Sequence, residues 1–272
     1  MVYYTLTHKM KIMKIFSKIL IVSVMTALLF NGCKKNTSGL YSDFEYVDDN
    51  QSRLKVNYNV AFQADPLVQV KINGVKSSAT VLQTRYPFPG GGFNTLGGST
   101  GDYLPVNPGS TEVLLSIPKR GTSVDSVEIF KTTINMAPGK HYSLHVADTL
   151  SRKGLLVEED ITYPDSGFVR FRFANLMPNV PAVDLYIGAE KVASNIAFMA
   201  IGDSFTLPIS QTNISSTWAI RPAGALPTST ALATYLSTST LLNKRVYTVF
   251  ATGYAGNTDT KRRPYVAFYY VR

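Results

Sequence analysis

A chain of 272 residues that is 45% apolar, 11% aromatic and only 17% charged has enough to bury for one large or two small domains, which excludes a disordered, collagen-like or coiled-coil polypeptide. Its single cysteine excludes an internal disulfide and a cysteine-based zinc site. The formal charge of +9 would suit a polyanionic partner, but part of that charge belongs to the amino-terminal segment.

In chain order, the first element is residues 13 to 33. Met13, Lys14 and Lys18 make a basic start, and Ile19 to Phe30 make a short apolar run. A membrane span needs about 20 apolar residues, so this run reads as the hydrophobic stretch of a secretory signal peptide. It closes on Leu29-Phe30-Asn31-Gly32-Cys33, which resembles the lipobox of bacterial lipoproteins, with Phe30 where the family most often has leucine. The resemblance implies removal of residues 1–32 and lipidation of Cys33; the alternative is a buried free thiol. Residues 1–12 are unusual upstream of so complete a signal, and a start at Met10 or Met13 would omit most or all of them. Loss of residues 1–32 takes Lys9, Lys11, Lys14 and Lys18 away and lowers the formal charge from +9 to +5. What remains has no Lys/Arg stripe interleaved with aromatics, so nucleic acid is not an expected partner. Lys261-Arg262-Arg263 reads as a loop kept soluble beside a strand.

Residues 33–49 are polar and contain Asn36, Thr37, Ser38 and Gly39, the composition of a flexible tether. Beyond them, apolar residues alternate with period two in short runs, and helical spacing is absent. Leu54, Val56, Tyr58 and Val60 share one face, then Val68, Val70 and Ile72, followed by Asn73-Gly74, a dipeptide suited to a two-residue hairpin turn. Val113, Leu115 and Ile117 come next, then Val124, Val127 and Ile129, then Tyr142, Leu144 and Val146. Such spacing predicts an all-β sandwich over residues 50–160.

Glu158-Glu159-Asp160 and Pro164-Asp165-Ser166-Gly167 mark a boundary, after which the order repeats. Val169, Phe171, Phe173 and Asn175 stand for the first run, and Val183, Leu185 and Ile187 for the run before Asn73-Gly74. Gly101-Asp102-Tyr103-Leu104 returns as Gly202-Asp203-Ser204-Phe205. Lys140 to Ala147 returns as Lys244 to Ala251. Matched landmarks in one order indicate an internal duplication, with a second sandwich over residues 165–272 that should fold alone. Within it, Trp218 alternates with Ala219 and should point into the core. At the end, Tyr265, Phe268, Tyr269 and Tyr270 place aromatics on both faces of one strand, so at least one face should be covered by something.

Phe168 to Asn175, Pro178, Pro181 to Ile187, Val192 to Phe198, Arg221-Pro222-Ala223-Gly224 and Tyr247 to Gly253 together resemble the family called domain of unknown function 4397. The first half resembles it more loosely, through Asp65-Pro66 and Asn73-Gly74. The resemblance implies tandem immunoglobulin-like antiparallel β-sandwiches in exported bacterial proteins, many of them lipoproteins. It implies no reaction and no catalytic residue.

Pro87 to Gly101 holds six glycines but no Gly-Lys-Ser/Thr, so it reads as a flexible insertion or a binding loop rather than a phosphate cradle. It has no counterpart in the second half, and its deletion should therefore leave stability nearly unchanged. Phe88, Phe93 and Tyr103 around it, with Tyr269 and Tyr270 of the last strand, are the candidate partner-binding residues. His141 and His145 are four apart on one strand face, about 13 Å, too far to share a metal. No Gly-x-Ser-x-Gly elbow accompanies them, and neither catalytic residue, metal nor cofactor is expected. Ser126 in Asp125-Ser126-Val127 and Thr149 in Asp148-Thr149-Leu150 resemble short O-glycan acceptors of some Gram-negative exported proteins. The expected protein is a non-enzymatic outer-membrane lipoprotein held by a lipid on Cys33, with binding or adhesion to a protein or glycan as its role. The alternative is a glycan-binding accessory of a surface nutrient-uptake system. Lys34 and Lys35 leave open which side of the membrane it faces.

Overall fold

The computed structural model describes residues 49–78, 81–147, 154–210 and 217–272; the signal segment, Cys33, the tether up to residue 48 and Thr149 lie outside the described residues. The first half contains β1 (Ser52–Tyr58), β2 (Gln69–Ile72), β3 (Val75–Lys76), β4 (Tyr86–Phe88), β5 (Leu104–Val106), β6 (Gly109–Pro118), β7 (Asp125–Met136), β8 (His141–Val146) and β9 (Gly154–Glu159). The second contains β10 (Phe168–Leu176), β11 (Ala182–Ile187), β12 (Glu190–Ala197), β13 (Ala200–Ile201), β14 (Phe205–Pro208), β15 (Thr217–Pro222), β16 (Ala233–Leu236), β17 (Val246–Thr252) and β18 (Tyr265–Tyr270).

Each half is a β-sandwich of two sheets. In the first, β4-β1-β8-β9, with β5 also on β1, faces β3-β2-β6-β7. In the second, β13-β10-β17-β18, with β14 also on β10, faces β12-β11-β15-β16. Adding nine to every strand of the first half reproduces the second, so the duplication extends to topology. The sheets are not purely antiparallel: β1 runs parallel to β8, and β10 parallel to β17. Six intervening strands let the chain return in the same direction, which a hairpin could not do.

Alternation sets the cores. Leu54, Val56, Tyr58, Val68, Val70, Val113, Leu115, Leu144 and Val146 fill the first, and Val169, Phe171, Phe173, Leu185, Trp218, Val249 and Phe268 fill the second. Trp218 is fully buried, between Phe171 at 5.0 Å and Phe268 at 5.1 Å between ring centroids, and its indole N–H donates to Thr240 Oγ1 at 3.0 Å. Asn73 and Gly74 have φ of 49° and 80°, the left-handed pair that a two-residue hairpin requires between β2 and β3.

Two sequence expectations need correction. Val124 and Val127 are exposed, and β7 turns Phe130, Ile134 and Met136 inward instead. Register shifts at Leu115/Ser116 and Ile117/Pro118 change which face each residue occupies there. The repeat is also one residue out of register when Lys140 is matched to Lys244. The left-handed residue before β8 is Gly139 and before β17 is Lys244, so Tyr142 corresponds to Tyr247, both turned inward.

Candidate functional site

Because β1, β8 and β9 bury one face in the first core, their other face carries Lys55, Asn57, Ser143, His145 and Glu159. The corresponding outer face of β10, β17 and β18 carries Ala174, Leu176, Val246, Phe250, Tyr269 and Val271. These two faces meet, and the polar row is sealed: Lys55, Asn57, Ser143, His145 and Tyr269 have no exposed surface. Strands exposed on neither face explain why the aromatics of β18 point both ways.

The polar groups form a continuous chain. Tyr269 Oη donates to Glu159 Oε1 at 2.7 Å and lies 3.2 Å from His145 Nε2, so the imidazole proton sits on Nε2 and donates to the phenol. His145 Nδ1 is then free to accept from Asn57 Nδ2 at 3.0 Å. Burial, reinforced by the charges of Arg172 and Lys55, lowers the His145 pKa to about 3 and keeps the ring neutral. Burial raises Glu159. Lys55 Nζ donates to the Tyr270 carbonyl and lies 4.4 Å from the Tyr103 ring centroid and 5.0 Å from that of Tyr269. Burial lowers its pKa to about 7. His141, on the same face, is half-buried and meets the Tyr103 ring edge-on at 4.9 Å. Beside this network Glu159 and Arg172 border a cleft of about 250 Å3 that also holds Asp203 and Ser204.

The glycine-rich segment belongs to the same junction. Phe268 N–H donates to the Phe93 carbonyl and Tyr270 N–H to the Gly91 carbonyl, both at 2.9 Å, so residues 91–93 run along β18 as a strap. Asn94 Nδ2 donates to the Val266 carbonyl at 2.7 Å. A Cβ on Gly92 would stand 2.0 Å from the Phe268 carbonyl oxygen, so no other residue fits without moving the strap. The Phe93 ring packs on the second core, 5.5 Å from Tyr270 and 6.0 Å from Tyr247. Arg85, beside the strap, stacks 3.6 Å over the Tyr265 ring.

The aromatic residues expected to meet a partner are therefore placed as follows. Phe88 is half-buried against the first core, Phe93 is the anchor of the strap, and Tyr103 donates its hydroxyl to the Val271 carbonyl at 3.3 Å. Tyr269 and Tyr270 are 0% and 8% exposed. The chain covers these rings with its own surface, and the glycine-rich segment is bonded to β18 rather than free of the fold. Ser126 is exposed on the edge strand β7.

Lys55, Asn57 and Glu159 escaped the sequence reading. A polar row opposite an apolar one reads as a solvated face, and the partner of that face lies more than 100 residues away. The signal that could have found them is β18 itself, whose aromatics on both faces call for a cover on at least one side.

Among the described residues, no group of three or more His, Cys, Asp or Glu side chains could hold a metal ion. The family model described as Domain of unknown function (DUF4397) matches residues 66–186 and again residues 169–266. No curated protein matches the chain.

Proposed function

The chain belongs to the family described as Domain of unknown function (DUF4397), and with that as premise we propose that it is a non-enzymatic binding or adhesion module, lipid-anchored to the outer membrane. The observation that carries the non-enzymatic part is where the ionisable groups lie. Lys55, His145, Tyr269 and Glu159 spend their bonds on one another and on backbone, holding two sandwiches as one frame. Loops and edge strands on a rigid frame are what a binding module presents to a partner. The anchoring part is supported by the signal run ending at Cys33. A second reading, a glycan-binding accessory of a surface nutrient-uptake system, is favoured by a carboxylate-free cleft beside the strap.

The anchor is tested by fractionating cells that express wild type and Cys33→Ala. Acyl chains contribute about 0.8 kcal/mol per buried methylene, and two or more give stable attachment. Wild type should sediment with membranes and Cys33→Ala should appear in the soluble fraction. Equal retention of the two would reject the anchor.

A further inference from the structure

The strap closes only part of the long side of the second sandwich. Beside it, between the edge strands β16 and β18, opens a cleft of about 530 Å3, inside the roughly 300–1,000 Å3 range of small-ligand sites. Three segments wall it. β16 supplies Thr234 and Tyr235, the loop before β18 supplies Asn257, Thr258 and Pro264, and the strap of the other sandwich supplies Asn94.

The lining has mixed hydrogen-bonding capacity and no carboxylate. Asn94 uses its Nδ2 on the Val266 carbonyl and keeps Oδ1 as an acceptor. Asn257 uses its Oδ1 on the Asp259 N–H, at 2.9 Å, and keeps Nδ2 as a donor. The hydroxyls of Thr234, Thr258 and Tyr235 can each donate or accept. Tyr235 is half-buried, its ring 5.8 Å from Phe268, and with Pro264 it supplies apolar surface to the cleft. The one cation, Arg263, is exposed; its Nε donates to Tyr265 Oη at 2.8 Å and its guanidinium lies 4.9 Å over that ring, which orients it without neutralising its charge. A site whose lining is mostly neutral donors and acceptors, with apolar surface and a single guanidinium that can also donate to hydroxyls, suits a polyhydroxylated ring.

We propose that this cleft binds a pyranose oligosaccharide, with Tyr235 stacking on a sugar face and Asn94, Thr234, Asn257 and Thr258 meeting its hydroxyls. The proposal rests on the binding-module reading and supplies its ligand class. Because Asn94 comes from the first sandwich, the site is complete only when both sandwiches are docked.

The test is isothermal titration of the full chain, purified in detergent, with cellohexaose, maltohexaose and xylohexaose at up to about 10 mM. Saturable binding of at least one is expected. Losing the stacking surface in Tyr235→Ala should weaken it about tenfold, the equivalent of about 1.4 kcal/mol. Since Tyr235 also touches the core, Thr258→Trp is the second variant: Thr258 is exposed, so the added ring fills the cleft without disturbing the fold, and binding should be lost at an unchanged unfolding temperature. No saturable binding by any of the three, or binding unchanged in both variants, overturns the assignment. If Cys33→Ala still leaves the membrane in that case, the cleft assignment alone has failed and the anchored-module reading stands.

Discussion

His145 and Lys55 are where single residues set the behaviour of the protein. Folded His145 does not take a proton until pH falls to about 3, whereas the unfolded chain takes one near 6.5. Between those values the unfolded state binds more protons, so acidification should destabilise the fold by up to about 1.4 kcal/mol per pH unit from this residue. Glu159, raised by burial, acts in the opposite sense: its contribution is present at low pH and lost as pH rises through its folded value. Lys55, depressed to about 7 from 10.5, makes stability climb as pH rises from 7 to 10.5. Denaturant unfolding across this pH range should show both slopes. His145→Gln should flatten the acid limb and Lys55→Met the alkaline one. Unchanged slopes in the variants would mean that other groups govern the pH response. None of this was legible from residue types, since Lys55 and Asn57 alternate with Leu54, Val56 and Tyr58 as outward residues of any half-buried strand do.

Element by element, what the sequence revealed was local. Period-two alternation found the inward faces of β1, β2, β6, β8, β10 and β11, and Asn73-Gly74 found its hairpin, because sheet side chains and turn dihedrals are decided by neighbours in sequence. β7 departs from simple alternation where bulges shift its register, because a one-residue slip exchanges the faces. Nothing local in the sequence shows that the strap is attached, because its partners, Val266 to Tyr270, are about 175 residues away. Its role gives a direct prediction. Gly92→Ala should push the strap off β18, and removing residues 90–98 should also withdraw Phe93 from the second core. Because Phe93 is only partly buried, its loss should cost less than the roughly 3–5 kcal/mol of a fully buried phenylalanine, about 1–2 kcal/mol. Thermal unfolding of the deletion should fall by several degrees; an unchanged midpoint would show that the strap's bonds are not needed.

At the scale of the whole molecule, the second sandwich has a complete core of its own, and residues 165–272 should fold in isolation. Such a fragment would expose Ala174, Leu176, Phe250 and Tyr269, which the first sandwich covers in the intact chain. Dispersed amide resonances together with concentration-dependent self-association are the expected result, and a molten spectrum would mean that the core depends on the strap. The duplication was legible in order and size, but the docking was not. The topology carries one more consequence. The buried junction joins the same sheet of each half, which is how an isologous homodimer meets its own copy. In such a dimer every substitution is made twice and must suit both sides. Joined in one chain, the halves are released from self-complementarity: Asn57 stands where the other half has Ala174, His145 where it has Phe250, and Glu159 where it has Val271. One partner could become polar and the other greasy, and the long strap could grow on one side only.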